Sequence, residues 1–209
     1  MTRAAPPSAS AARGPAPRRR RRLARVAAGL ASALVAGHVA LRVLDAACPL
    51  PAAALAPRAP SGVVTAADGT WLRVGLDGAG ERRLPFVLGD ASPHLVHALL
   101  AAEDRRFLAH RGVDPRALVR AAARCVAAGA AVEGGSTLTM QLARLVDPAP
   151  RTVAGKARQA FRAWQLERRL SKAEILARYL EAVPLPGNLR GATAAAAAWW
   201  GKRPADLSA

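Results

Sequence analysis

Residues 92–128 read SPHLVHALLAAEDRRFLAHRGVDPRALVRAAARCVAA, and their pattern decides the fold class. Ser92-Pro93 places a capping hydroxyl before a proline at the first helical position, and Asp114-Pro115 repeats that logic. The spacing predicts a first helix running through to His110, with Leu95, Leu99, Leu100, Ala102 and Phe107 along one side, and a second helix from Asp114-Pro115 onward. Further signals extend the helical reading. Gly129 and Gly134-Gly135 punctuate, Ser136 is expected to cap STLTMQLARLV, and Asp147-Pro148 ends that stretch. A long helix is predicted from about Thr152 to Leu170, and Ser171 with Glu174 forms a capping box that opens EILARYLEAV. Pro184, Pro186 and Gly187 read as a loop before a last helix from Ala192 to Trp200. Everything from Ala91 onward is therefore expected to be mostly α.

Upstream the period changes. Gly62 to Phe86 holds two apolar stretches around the turn signals Asp68-Gly69 and Asp77-Gly78, which fits a small β-hairpin or meander. Residues 45–61 are rich in Pro and Ala and read as an extended stalk. Val26 to Leu41 is an uncharged apolar run bounded by Arg25 and Arg42. As a helix it rises about 24 Å, and snorkelling arginines lengthen the span to 23–44, enough for one transmembrane anchor. Residues 1–22 form a basic tail that includes Arg18 to Arg22 and is expected to be disordered. The same pattern fits a cleaved signal peptide, with Ala46 to Cys48 as a processing site. Five consecutive arginines favour an uncleaved anchor with a cytoplasmic N-terminus and the rest of the chain on the far side.

The whole chain carries 31 Lys plus Arg against 14 Asp plus Glu, a formal charge of +17. An arginine run attracts phosphate, but this one abuts an apolar span and has a topological reason to be there, so no nucleic-acid partner is expected. Two cysteines, Cys48 and Cys125, exclude a disulfide scaffold and a Cys-rich zinc module. With four histidines and no HExxH, no metal site is assigned. No phosphate-cradling glycine loop of the GxxxxGK[ST] or GxGxxG kind occurs either.

Taken alone, Glu103-Asp104 beside two arginines describes a solvated helix face, and Gly134 to Leu142 a glycine break with a cap. Joined to three stretches nearer the C-terminus, they form an ordered set. Glu103-Asp-x-x-Phe107-x-x-His110-x-Gly112 resembles the first signature of the peptidoglycan glycosyltransferases, glycosyltransferase family 51 of the penicillin-binding enzymes. Gly135-Ser-Thr-x-Thr-x-Gln141-Leu is similar to the second, Lys156 within GKARQ to the third, and Ser171-Lys-x-Glu174-Ile-Leu-x-x-Tyr179-Leu180 to the fourth. Gly191, Ala196 and Trp200-Gly201-Lys202 resemble the fifth.

The resemblance implies a lysozyme-like, mostly α glycosyltransferase domain over residues 62–209, with a jaw region that touches the membrane. It implies polymerisation of lipid II into glycan strands with release of undecaprenyl pyrophosphate, outside the cytoplasmic membrane. The partners it implies are lipid II, the nascent glycan strand, the cytoplasmic membrane and other cell-wall synthesis proteins. No cofactor is required; a divalent metal such as Mg at the pyrophosphate is compatible with the family's chemistry. Glu103 is the expected general base, and partial burial among Leu100 and Phe107 is expected to tune it. Asp104, His110, Ser136, Thr137, Gln141, Lys156 and Gln159 are the expected substrate-binding residues, with Arg158 and Arg162 beside Lys156.

Three departures matter. Gln159 stands where the third signature usually has a second glutamate, Glu181 where the fourth has Asn, and Met140 where a Gln pair is usual. With the PLPGNLRG loop, this pattern resembles the 1C class of bifunctional penicillin-binding proteins. The chain stops at Leu207-Ser208-Ala209 without the SxxK, SxN or KTG elements of a transpeptidase, so the domain is expected to be C-terminally incomplete, with part of the Ala192 to Trp200 helix uncovered. Two other readings stay open: an inactive, truncated, membrane-tethered glycan-binding remnant, and a lytic transglycosylase.

Overall fold

A computed structural model of the chain describes residues 17–52, 55–56, 58–69, 71–129 and 134–208. The expected tail over residues 1–16 lies outside them, as does Ala209. The chain divides into two units, Met1–Pro49 and Leu50–Ala209.

The first unit contains α1, Pro17–Ala47. Within it Arg20–Ala47 is long and apolar enough to cross a membrane. The helix starts before the expected anchor and ends after it. Arg18 to Arg22 therefore ride on its first turns instead of belonging to a disordered tail, because Arg and Ala are good helix formers and no breaker separates them from the apolar run.

In the second unit, β1 (Val63–Thr65) and β2 (Trp71–Val74) form the expected antiparallel hairpin. The helices are α2 (Pro93–Glu103), α3 (Pro115–Ala128), α4 (Leu138–Val146), α5 (Val153–Arg169), α6 (Lys172–Ala182) and α7 (Gly191–Trp200). Ser92 and Asp114 cap α2 and α3 through their side chains, and Ser171 and Glu174 close the capping box on α6. The stretch read as a loop after α6 is instead a tight hairpin of β4 (Pro184–Leu185) and β5 (Leu189–Arg190), turned by Asn188 at φ 57°. Its second strand pairs in parallel with β3 (Arg82–Arg83), a partner more than a hundred residues away that no local signal could announce.

The core forms around α4. Leu138, Met140, Leu142 and Ala143 are at most 1% exposed and pack with Ala163 and Leu166 of α5 and Ile175, Leu176, Tyr179 and Leu180 of α6. Fully burying a leucine side chain is worth about 1.5–3 kcal/mol, so this short helix is held by packing and not by its own propensity. The expected stalk is not simply extended: Leu50 is buried in this core and Leu55 packs against it, because apolar side chains gain more there than in solvent. Ser61 is buried too, bonded to the backbone of Arg83 and Glu81. On α7, Ala192 to Ala196 are buried while Trp199 and Trp200 are exposed.

Candidate active site

Glu103 is the last residue of α2, and Asp104 caps it at φ −158°, ψ 78°. The helix therefore does not run on to His110 as its sequence suggests; Phe107–Ala109 is a separate 3₁₀ turn. The break has a physical cause. Out of the helix, the Asp104 carboxylate reaches the backbone N–H of Leu138 at 3.0 Å and the Nε2 of His110 at 3.0 and 3.1 Å. These hydrogen bonds, from two donors, outweigh the few tenths of a kcal/mol that helix propensity offers. Asp104 and His110, both 7% exposed, are thus bonded to each other, and Asp104 to the start of α4. The Asp104 carboxylate only accepts, so the Nε2 that faces it carries a proton and donates; Nδ1 is buried without a partner among the described residues.

Thr137 is also turned inward. It is 2% exposed, its hydroxyl donates to the carbonyl of Gly112, and it accepts the N–H of Met140 at 3.1 Å. It, and not Ser136, is the N-cap of α4. Gly112 sits at φ +87°, where a Cβ would lie 2.9 Å from the backbone of Ala163, so this junction of the first signature with α5 requires glycine.

Freed from capping, Ser136 accepts a hydrogen bond from Lys156 Nζ at 2.7 Å. One of the three ammonium protons is used, and both side chains are half-buried. Lys156 lies in the first turns of α5, where the unpaired backbone N–H groups add positive potential. Gln159 follows one turn later on the same helix and is 8% exposed. Arg158 and Arg162 do not accompany Lys156. Arg158 grips Asp147 through Nη2 at 2.6 Å and Nε at 3.1 Å, and Arg162 through Nε at 2.7 Å. Burial pushes the Asp147 carboxyl upward, but the hydrogen bonds and charges of Arg162 and Arg158 outweigh it and hold the pKa below the usual carboxylate range.

The last group centres on Gln141, in the second turn of α4. Its Nε2 donates to Glu103 Oε2 at 2.7 Å, and its Oε1 accepts from the Tyr179 hydroxyl at 3.0 Å. Glu103 itself is exposed, not partly buried among Leu100 and Phe107; Phe107 turns into the core instead. Burial, and then the nearby negative charge of Glu103, push the Tyr179 hydroxyl up to about 12, so it stays protonated.

Of the eight residues expected from sequence, the structure thus pairs Glu103 with Gln141 and Ser136 with Lys156, and the segment 136–141 carries one member of each pair. Asp104, His110 and Thr137 are internal supports of that segment. Tyr179 was missed as a site residue; its signal was that it is the only tyrosine in the chain and lies within the fourth signature. Chemically, the arrangement offers a solvent-facing carboxylate with one oxygen held by Gln141 and, among the described residues, an ammonium group bonded to Ser136 alone.

Comparison with known proteins bears on what these groups act upon. The family described as Transglycosylase matches residues 71–209. Penicillin-binding protein 1C of Escherichia coli is 50% identical over 149 residues, 71% of this chain and 19% of that protein. Penicillin-binding protein 1A of the same organism is 42% identical over 123 residues, 58% of this chain and 14% of that protein. Penicillin-binding protein 1A of Aquifex aeolicus is 41% identical over 129 residues, 61% of this chain and 18% of that protein. The matched part of the chain spans about a fifth or less of the length of these relatives.

Proposed function

The chain belongs to the transglycosylase family, and from that premise we propose that it is a membrane-anchored peptidoglycan glycosyltransferase that extends glycan strands from lipid II and releases undecaprenyl pyrophosphate. The observation that carries this reading is the pairing of Glu103 with Gln141 and of Lys156 with Ser136, at the two ends of one short segment. Strand extension is a displacement at the anomeric carbon of the donor. The bond from that carbon to the pyrophosphate breaks, a bond to the acceptor hydroxyl oxygen forms, and the hydroxyl proton must leave. Glu103 takes that proton on the oxygen that Gln141 leaves free. Lys156, with Ser136 and the N-terminal end of α5, stabilises the charge that develops on the departing pyrophosphate. Gln159, buried beside them, contributes hydrogen bonds and no base.

Among the described residues the donor set offers no dedicated cage for a divalent metal, and one at the pyrophosphate would be held largely by the substrate's own oxygens. No group of three or more His, Cys, Asp or Glu side chains capable of holding one occurs among the described residues. Position 159 is an amide, and Asp104 and Asp147 are taken by internal partners.

The N-terminal helix supports the same reading, since a donor whose lipid tail stays in the bilayer is met more often by an enzyme tethered to that bilayer. The arginines at its start favour a cytoplasmic N-terminus with the rest of the chain on the outer face. A reporter joined after residue 209 that works only in the cytoplasm would refute that topology. For the activity, the full chain in detergent is supplied with labelled lipid II and, separately, with preformed glycan. Growth of glycan chains supports the proposal, cleavage of preformed glycan identifies a lytic enzyme, and neither identifies a glycan-binding remnant.

A further inference from the structure

The hydrogen bonds around Gln141 have a fixed direction. An ionised carboxylate can only accept, so the amide atom that faces Glu103 must be Nε2. Its Oε1 then faces Tyr179, which must donate. The amide has two ways round, and only the one with its NH₂ toward Glu103 is attractive. The hydroxyl of Tyr179, on a different helix and 38 residues away in sequence, then holds that orientation by donating to Oε1. Tyr179 is 5% exposed and its ring is part of the core, so the hydroxyl is held in place by packing. Its protonated state across the physiological range keeps it a donor.

Glu103 needs such support. It is exposed at the end of α2, and a glutamate in that position is otherwise free among several rotamers, whose restriction costs up to about 1.5–2 kcal/mol. A general base gains from having that cost met before the substrate arrives.

We infer that Tyr179 is a positioning residue for the general base: through Gln141 it orients the Glu103 carboxylate, fixing Oε2 and leaving Oε1 for the proton. Gln141 is thereby reassigned from substrate contact to adapter. The inference rests on the proposed role of Glu103 and adds the route by which that side chain is aimed. A residue that aims the base alters the chemical step and leaves substrate binding alone.

The test measures lipid II polymerisation by the full chain in detergent micelles, with kcat and KM determined separately. Tyr179→Phe keeps the ring in the core and removes the hydroxyl. It is expected to lower kcat about tenfold with KM within about twofold, the size of one lost hydrogen bond. Gln141→Met is expected to lower kcat at least as much, and adding Tyr179→Phe to Gln141→Met should cost nothing further. A raised KM with unchanged kcat in Tyr179→Phe, or independent effects in the double variant, overturns the inference. If Tyr179→Phe fails to fold, Gln141→Met decides on its own: an unchanged kcat overturns the inference. Glu103→Gln is measured alongside. Full activity there overturns the role of Glu103 and this inference with it, whereas an inactive Glu103→Gln beside an unaffected Tyr179→Phe overturns the inference alone.

Discussion

Asp104 accepts the backbone N–H of Leu138 at 3.0 Å and so ties the end of α2 to the start of α4 across 34 residues of sequence. Its neighbour Glu103 is exposed and bonded to Gln141 of α4. Two adjacent acids therefore have opposite duties, and their amide variants should fail in opposite ways. Glu103→Gln keeps the fold, because an exposed carboxylate contributes little to stability, while polymerisation falls by at least about 10²-fold with the loss of the base. Near-normal turnover by this variant would refute the assignment.

Asp104→Asn should fail by destabilisation. The new NH₂ would face either the Leu138 N–H or the His110 N–H, donor against donor, and the imidazole could escape only by moving its proton to the buried, partnerless Nδ1. A cost of about 2 kcal/mol is expected, read as a lowered Tm. An unchanged Tm with abolished activity would return Asp104 to the substrate.

Gly155 sits in the first turn of α5, where a Cβ would overlap the carbonyl oxygen of Pro150. Replacing glycine by alanine inside a helix ordinarily gains about 1 kcal/mol. Here the backbone overlap dominates, and Gly155→Ala should lose about 1–3 kcal/mol and displace the adjacent Lys156. Denaturant titration decides it, and a rise in stability would show that the Pro150 loop yields freely.

Asp147 governs part of the acid stability. Its folded pKa lies below its unfolded value of about 3.9, so its contribution is fully present above that pH and is lost as pH falls toward the folded pKa. Unfolding free energy should therefore decline below about pH 4, and Asp147→Asn should flatten that decline while lowering stability at neutral pH. Parallel acid limbs for the two proteins would exclude Asp147 as a contributor.

Gln159→Glu tests whether a second carboxylate matters in the place where the family more often has one. Because the proposed base is Glu103, polymerisation should change by less than about tenfold. A larger gain or loss would make this position central to the chemistry.

What the sequence determined by itself is the part of the molecule governed by neighbours along the chain. The caps at Ser92-Pro93 and Asp114-Pro115 and the box from Ser171 to Glu174 are settled within four residues, and all three form as their local chemistry dictates. So does the apolar N-terminal helix, whose pattern needs no partner to be read. The composition of the candidate site was legible too, since the ordered signatures contain Glu103, Ser136, Gln141 and Lys156. Their duties were not. Whether Ser136 or Thr137 caps α4, whether α2 stops at Glu103, and which of two adjacent acids turns inward all depend on groups 20 to 40 residues away: Lys156 for Ser136, Gly112 for Thr137, Leu138 for Asp104. Local propensity separates such alternatives by a few tenths of a kcal/mol, whereas a satisfied buried hydrogen bond or a missing one shifts them by about 1–3 kcal/mol. The tertiary structure decided these points because only a packed core brings the competing donors and acceptors within reach and keeps water from replacing them.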